Sequence, residues 1–191
     1  MDENHPIHPQ SPYAATKAAA DQLALSFHRS FGTPVVVLRP FNTFGPRQSA
    51  RAVIPTIISQ ICSGAKKIKL GNIHSTRDFN YVTNTVDAFL AVAQNDQCLG
   101  DVFNVGMHSE ISMKDLVSLI AKIMKRNITI EIDRQRLRPG KSEVERLFCD
   151  ASKIKKVCQW HPKVSLEQGL EKTCQWFQEN WRSYKTDIYN V

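Results

Sequence analysis

The feature that most constrains the fold is a long helix followed directly by a short apolar strand near the start of the chain. Ser11 and Pro12 form a typical helix start, because a serine side chain caps the first turn and a proline fits its first position. The alanine-rich stretch that follows ends at Gly32, a residue type common just after a helix. Residues 34–39 then form a β-branched run typical of a buried parallel strand. A strand placed directly after a helix predicts an α/β unit.

The rest of the chain alternates between helices and short strands. We predict helices over residues 53–62, 83–95, 113–126, 151–159 and 166–182, and strands over residues 68–70, 79–82, 102–105 and 128–132. The second of these helices carries Val86, Phe89 and Leu90 on one face. Only two or three strands have the pattern of buried parallel strands, which is too few for a complete doubly wound sheet. The sequence therefore predicts an α/β fold with an incomplete parallel sheet.

The charge of the chain is strongly basic. It has 25 Lys and Arg against 18 Asp and Glu, and residues 111–191 hold 16 of the basic and 10 of the acidic residues. Such an excess fits nucleic acid, a membrane surface, a small phosphorylated ligand or a solvated basic face. The basic residues are scattered, without interleaved aromatic residues or a short DNA-binding motif. We therefore expect no nucleic-acid partner.

Cysteine usage and hydropathy favour a cytoplasmic protein without a membrane anchor. The five cysteines are an odd number without a C-x-x-C pair, which argues against a disulfide framework or a zinc ribbon and favours reduced thiols. The best apolar run, residues 52–61, contains Pro55 and polar residues, so we expect no membrane span. The polar N-terminus does not resemble a signal peptide. His5 and His8 have no acidic or cysteine partner at clear spacing, so we expect no metal site.

Tyr13 and Lys17 are the first candidate catalytic residues. Residues four apart lie on the same face of a helix. A free tyrosine titrates near pH ~10, and a neighbouring ammonium favours the phenolate, which can then accept a proton from a hydroxyl group. Ordinary surface packing is the competing interpretation, because such pairs are common on helices.

Three arginine-bearing segments are candidates for binding phosphate. Residues 38–47 leave the first strand as a Pro/Gly loop, and ligands bind beyond the C-termini of strands in open α/β sheets. Residues 76–82 and 136–146 also carry arginines, whose fork suits bidentate contact with phosphate oxygens. Each segment has a competing interpretation. Residues 38–47 fit a rigid turn, residues 76–82 a local salt bridge between Arg77 and Asp78, and residues 136–146 a solvated loop.

Taken in order, these segments resemble motifs of the extended short-chain dehydrogenase/reductase superfamily, in its NAD-dependent epimerase/dehydratase family. Residues 11–17, Ser-Pro-Tyr-Ala-Ala-Thr-Lys, are similar to the Tyr-x-x-x-Lys segment of that family. Three further matches follow: Arg-Pro-Phe-Asn-Thr-Phe-Gly-Pro at 39–46, Arg-Asp-Phe-Asn-Tyr-Val at 77–82, and Arg-Pro at 138–139. The resemblance covers nearly the whole chain. It implies the C-terminal part of a Rossmann-type doubly wound parallel sheet, with a smaller α/β substrate-binding domain.

The resemblance implies roles for the tyrosine, the lysine and a proline in catalysis and cofactor binding. Tyr13 corresponds to the catalytic acid/base, and Lys17 tunes it and binds the nicotinamide ribose. Pro40 is assigned to the same cofactor site. The cofactor implied is NAD rather than NADP. The family's phosphate-binding Gly-x-x-Gly-x-x-Gly fingerprint is absent from this sequence.

The resemblance also implies a nucleotide-sugar substrate, a UDP-, GDP- or dTDP-linked hexose. Asn42 corresponds to an asparagine that contacts the substrate, and Arg77 and Arg138 correspond to arginines that bind its diphosphate. Asn84 stands where the family commonly has an aspartate, a departure that we interpret as structural because asparagine also caps a helix.

Within the family, the motifs look most like those of nucleotide-sugar 4,6-dehydratases, nearest to those acting on UDP-N-acetylglucosamine or a GDP analogue in legionaminic-type pathways. The implied reaction is oxidation at C4, loss of water across C5–C6 and return of hydride to C6. A nucleotide-sugar 4-epimerase or a UDP-glucuronate decarboxylase is the alternative within the family. A catalytically dead nucleotide-sugar-binding remnant is the alternative from another functional class.

The expected organisation is that of the C-terminal part of a longer enzyme. Residues 1–52, and in part residues 68–106, are expected to belong to the dinucleotide-binding domain. Residues 53–67 and 107–183 are expected to bind the nucleotide sugar, and residues 184–191 to form a tail. The resemblance further implies a homodimer formed through the helix that carries Tyr-x-x-x-Lys. We expect little turnover from this chain alone.

Overall fold

Helix α1 (Pro12–Phe31) begins and ends where the sequence predicts, in a computed structural model that describes residues 1–137 and 144–184. The Oγ of Ser11 accepts a hydrogen bond from the backbone N–H of Ala14 at 3.2 Å. At the other end, Gly32 adopts a left-handed φ of 67° and donates its N–H to the carbonyl of His28 at 2.9 Å. Both ends are thus fixed by residues within one turn of the helix.

Residues 1–137 and 144–184 contain five further helices and nine short strands. The helices are α2 (Val53–Cys62), α3 (Val82–Ala93), α4 (Met113–Ile123), α5 (Ser152–Cys158) and α6 (Leu166–Asn180). The strands are β1 (Val37–Pro40), β2 (Asn42–Phe44), β3 (Lys67–Leu70), β4 (Thr76–Arg77), β5 (Phe79–Tyr81), β6 (Val102–Val105), β7 (Ile111–Ser112), β8 (Thr129–Ile132) and β9 (Arg146–Leu147). Ser165 and Gln168 form the predicted capping box at the start of α6.

Within the described ranges, the strands form four small sheets. Three of them are parallel pairs, β1 with β6, β2 with β5 and β3 with β8. In the fourth, β4 lies between β7, to which it is antiparallel, and β9, to which it is parallel. Helices connect these parallel strands, as the predicted α/β pattern requires.

Two hydrophobic clusters hold these layers together. The larger one packs α2, α4 and α6 over β2, β3 and β5, with Ile57, Ile58 and Phe177 fully buried. The second packs α3 and α5 against β6, around Phe103 and Ile154. Each fully buried side chain of this size stabilises the fold by ~1.5–3 kcal/mol relative to exposure. The predicted domain boundaries stay a prediction, although the two clusters give the chain two centres of packing.

Helix α1 buries little of its surface. Leu25 is the only buried side chain of this helix, while Leu23, Phe27 and Phe31 are 60%, 48% and 75% exposed. The apolar face predicted for α3 is likewise exposed, since that helix turns other side chains inward. An amphipathic pattern therefore located the helix but not the side on which the chain packs it.

Several element boundaries differ from the predicted ones by a few residues. The first strand begins at Val37 rather than at residue 34, because its ladder starts opposite Val102 of β6. Helix α4 ends at Ile123, before Lys125 takes a left-handed φ of 53°. In the described part of the chain, no helix is long and apolar enough to cross a membrane.

Candidate functional site

A pocket of about 410 Å³ lies where several segments between Asn42 and Arg136 converge. It is lined by Asn42 of β2, Gln48 and Arg51 of the loop before α2, Arg77 of β4, and Arg136 of a short turn after β8. Ligand sites of small molecules commonly enclose roughly 300–1,000 Å³. The pocket therefore has the size for a ligand and three guanidinium groups to bind anions.

Arg77 and Asn42 are held in this pocket by contacts to neighbouring backbone. Arg77 donates from Nη1 to the carbonyl of Thr76 at 2.8 Å, and its strand is paired on both sides. The Nδ2 of Asn42 donates to the carbonyl of Asp78 at 3.0 Å. The structure thus brings together two of the residues assigned to the substrate from sequence.

Asp78 anchors the strands behind the pocket. Its carboxylate is fully buried and accepts backbone N–H groups of Met107 at 2.8 Å, and of Ser109 and Cys149 at 3.4 Å each. Burial raises the pKa of this carboxyl, while those hydrogen bonds act in the opposite direction. Among the described residues no ion pair joins Arg77 to Asp78, so the alternative of a local salt bridge is wrong. Asp78 is committed to backbone donors instead.

The turn that carries Arg136 closes one wall of the pocket. Arg136 donates from Nε to the carboxylate of Asp133 at 3.1 Å, which fixes the guanidinium. Gly71 makes this closure possible, because a Cβ there would run into the backbone carbonyl of Arg136. Arg138, the arginine assigned to the diphosphate from sequence, lies outside the described residues. Arg136 belongs to the same charged segment, and the pattern that singled out Arg138 could have included it.

Gln48 offers an unused acceptor beside Asn42. Its Nε2 donates to the carbonyl of Thr43 at 2.9 Å, and its backbone carbonyl accepts a hydrogen bond from the hydroxyl of Tyr184 at 2.9 Å. The side chain is thereby fixed with its Oε1 buried, and that atom has no hydrogen-bond partner within the described residues. The preceding residue, Arg47, has a left-handed φ of 64°, unusual for a residue with a side chain.

Neither Gln48 nor Arg51 was identified from the sequence. Both lie in a loop whose prolines and glycine could be explained by turn geometry alone. The only sequence signal was the position of this loop directly after β1 and β2, at the C-terminal ends of parallel strands.

Tyr13 and Lys17 lie on α1, and neither is among the residues that line the pocket. Tyr13 is 72% exposed, and the Nζ of Lys17 lies 5.7 Å from the centre of its ring. The two side chains therefore share one exposed face of the helix, as their spacing predicts. An ion pair of 2.7 Å between Arg39 of β1 and Asp21 fixes α1 against that strand. Pro40, the other predicted cofactor contact, is exposed at the end of β1.

The described residues contain no group of three or more histidine, cysteine or acidic side chains that could hold a metal ion. His5 and His8 are both exposed.

Comparisons with known proteins point in one direction. Residues 1–173 match the family described as GDP-mannose 4,6 dehydratase. The dTDP-D-glucose 4,6-dehydratase of Homo sapiens is 34% identical over 190 residues, which cover 97% of this chain and 53% of that protein. The chain spans about half the length of the curated relatives it matches.

Solved structures give the same result. The dTDP-glucose 4,6-dehydratase of Bacillus anthracis in complex with NAD superposes with a TM-score of 0.84 at 31% identity, over 97% of this chain and 58% of that one. The UDP-glucuronic acid 4-epimerase of Bacillus cereus, in complex with UDP-glucuronic acid and NAD, superposes with a TM-score of 0.86 at 28% identity, over 94% of this chain and 56% of that one. These matches confirm the family resemblance and the Rossmann-type α/β fold class predicted from the sequence.

Proposed function

The chain belongs to the GDP-mannose 4,6-dehydratase family, and we propose that it supplies the catalytic base and most of the substrate pocket of an NAD-dependent nucleotide-sugar 4,6-dehydratase. The observation that carries the proposal is the pocket in which Arg51, Arg77 and Arg136 surround one space beside Asn42. Guanidinium groups bind phosphate oxygens through charge-assisted hydrogen bonds. A nucleotide sugar, with its diphosphate, is the ligand class that this arrangement fits best.

In this proposal Tyr13 and Lys17 perform the proton chemistry. The exposed phenol of Tyr13 is accessible to a ligand, and the Nζ of Lys17 lies 5.7 Å from the centre of its ring. Tyr13 accepts the proton of the C4 hydroxyl of the hexose as C4 is oxidised. The resulting 4-keto group acidifies C5–H, and water leaves across C5–C6. These assignments of Tyr13 and Lys17 follow the family motif and stay proposals.

The donor set on α1 fits a nicotinamide cofactor. A phenol O–H and an ammonium on one exposed helix face are hydrogen-bond donors suited to ribose hydroxyls. We assign Tyr13 and Lys17 to the ribose hydroxyls, and Pro40, at the end of β1, to the same cofactor site. NAD, when bound, supplies the acceptor and later the donor of hydride.

Nucleotide-sugar binding by the chain tests the proposal. Isothermal titration with dTDP-glucose and UDP-N-acetylglucosamine should give saturable binding, and Arg77→Ala should weaken it by more than ~1 kcal/mol, since each charge-assisted hydrogen bond contributes about that much or more. Arg29→Ala, an exposed arginine at the end of α1 outside the pocket, is the matched control and should bind like the unaltered chain. Equal affinity of Arg77→Ala and the unaltered chain would refute the diphosphate assignment.

The reaction class is read from the product. In an enzyme that joins this chain to a dinucleotide-phosphate site, a 4-keto-6-deoxy sugar supports the dehydratase. A 4-epimer or a decarboxylated sugar would assign one of the alternative reactions instead. Tyr13→Phe should abolish turnover while nucleotide-sugar binding persists, because the phenol lies outside the pocket.

We also propose that the protein is a cytoplasmic homodimer. The exposed Leu23, Phe27 and Phe31 lie four residues apart along α1 and form an apolar stripe, which is typical of a protein–protein interface. Free cysteines support a reducing compartment. Sedimentation of the unaltered chain and of Phe27→Ser tests the dimer: the variant should shift toward monomer, and a monomeric unaltered chain would contradict it.

A further inference from the structure

Cys98 and Cys158 bring two thiols into contact away from the pocket-lining residues. Their Sγ atoms are 3.3 Å apart, although 60 residues separate them in sequence. Cys98 ends a short 3-10 turn after α3 and is fully buried, whereas Cys158 is the last residue of α5 and is half-buried. A disulfide bond is about 2.05 Å long, so the two sulfur atoms are little more than 1 Å from bonding distance.

Hydrogen bonds and an ion pair join residues 95–102, around Cys98, to the helix that ends at Cys158. The Nδ2 of Asn95 donates to the carbonyl of Val157 at 3.1 Å. The Nζ of Lys153 pairs with the carboxylate of Asp101 at 2.5 Å and donates to the carbonyl of Val102 at 2.9 Å. These contacts keep the two cysteine-bearing segments side by side, so each thiol has the other close at hand as a reaction partner.

We propose that Cys98 and Cys158 form a reversible intramolecular disulfide when the protein meets a small-molecule disulfide such as oxidised glutathione. The thiolate of Cys158 attacks one sulfur of the oxidised glutathione, which forms a mixed disulfide and releases the first glutathione thiolate. Cys98 then gives its proton to the released thiolate and attacks the Sγ of Cys158, which releases the second glutathione thiolate, and this thiolate takes up the proton that Cys158 lost to water. The protein is oxidised by two electrons, and one oxidised glutathione is reduced to two thiols.

The exposure of the two thiols determines this order. Burial, together with the neighbouring Cys158, raises the pKa of Cys98 to about 12, so Cys98 is a poor first nucleophile. In the second step, the contact with Cys158 compensates for the raised pKa of Cys98, because effective molarities of well-placed groups reach ~10⁵ M and above. The half-buried Cys158 is therefore the thiol that reacts first with an external disulfide.

The other cysteines do not compete well. Cys149 and Cys174 are buried, and burial raises the pKa of both thiols. Cys62 is half-buried, but burial raises its pKa as well. A free thiolate is the reactive form, so these three react more slowly.

Oxidised glutathione added to the folded chain tests the proposal. The number of free thiols, titrated after denaturation, should fall from the five of the sequence to three, and peptide mapping should find Cys98 linked to Cys158. The oxidised chain should unfold at a higher urea concentration, because the link constrains the unfolded chain. A thiol reductant should restore five thiols and the original midpoint.

Three variants identify the steps. Cys98→Ser should retain glutathione on Cys158. Cys158→Ser lacks the half-buried thiol, so treatment should leave its number of free thiols and its urea midpoint unchanged. Cys62→Ser is the matched control and should form the link like the unaltered chain. Persistence of five thiols, a stable glutathione adduct on the unaltered chain, or a link between other cysteines would each overturn the proposal. None of these outcomes depends on the proposed enzymatic function.

Discussion

Replacement of Asp78 tests how the strands behind the pocket are held. The carboxylate of this fully buried residue accepts three backbone N–H groups, from Met107 at 2.8 Å and from Ser109 and Cys149 at 3.4 Å. Asp78→Ala leaves all three donors without their acceptor. Each buried unsatisfied group costs ~1–3 kcal/mol, but two of the bonds are long and the substitution also removes a buried charge. We therefore expect the free energy of unfolding to fall by about 3–5 kcal/mol.

Asp78→Asn separates the hydrogen bonds from the charge. The amide oxygen can keep the bond from Met107, while its NH₂ group faces the N–H groups of Ser109 and Cys149. We therefore expect a smaller loss, about 1–2 kcal/mol. Urea unfolding followed by tryptophan fluorescence measures both variants, with Asp96→Ala, an exposed aspartate, expected within about 0.5 kcal/mol of the unaltered chain.

The pH dependence supplies a second measurement. Burial raises the pKa of Asp78 in the folded state, so the folded state holds the proton to higher pH than the unfolded chain does. The stability linked to this proton is fully present below the pKa of aspartate in the unfolded chain. It is lost as pH rises through the higher pKa of Asp78 in the folded state. Asp78→Asn lacks this titration, so its deficit relative to the unaltered chain should shrink as pH rises. Asp78→Ala within 1 kcal/mol of the unaltered chain (roughly a fivefold change in the folding equilibrium) would refute the anchoring argument.

Three further predictions follow from single contacts. Hydrogen bonds from Arg146 and Thr76 lower the pKa of Glu110 to about 2 from an ordinary 4.5. The folded state therefore gains stability above pH 4.5 that is lost as pH falls toward 2. The free energy of unfolding, measured over this pH range, should fall less for Glu110→Gln than for the unaltered chain. Gln48→Met keeps the size of the side chain but removes the Nε2 hydrogen bond that fixes it to the carbonyl of Thr43 in the pocket wall, so calorimetry should show nucleotide-sugar affinity reduced about threefold to tenfold, and unchanged affinity would contradict a role for this bond in shaping the pocket. Gly71→Ala places a Cβ against the backbone carbonyl of Arg136, so urea unfolding should show about 1–3 kcal/mol of destabilisation, and an unaltered midpoint would contradict the close approach.

Some of the site follows from the sequence because its determinants are local. Tyr13 and Lys17 share a helix face because they are four residues apart, and the structure places them so. Arg77 and Asn42 were assigned through motifs, and both line the pocket. The motif roles themselves stay proposals, and Arg138 lies outside the described residues.

Other parts of the site could not be found in the sequence because they depend on contacts between distant segments. Gln48 becomes an acceptor of interest only because Thr43 and Tyr184 fix its amide and its backbone. Asp78 stands beside Arg77 in the sequence, which favoured a salt bridge, yet its carboxylate faces backbone N–H groups from two other segments. Adjacent residues of a strand point to opposite faces, so adjacency is weak evidence for a contact.

By itself, the sequence determined the α/β class, the family, both ends of α1 and the start of α6. The helix ends follow from the sequence because capping hydrogen bonds join residues only a few positions apart. The tertiary structure alone decided where β1 begins, which face of α3 is exposed, and that three arginines from separate segments surround one pocket. These features depend on packing and strand pairing across long stretches of chain. No local pattern of residue types encodes them, because the same amphipathic helix or charged loop can pack in several ways.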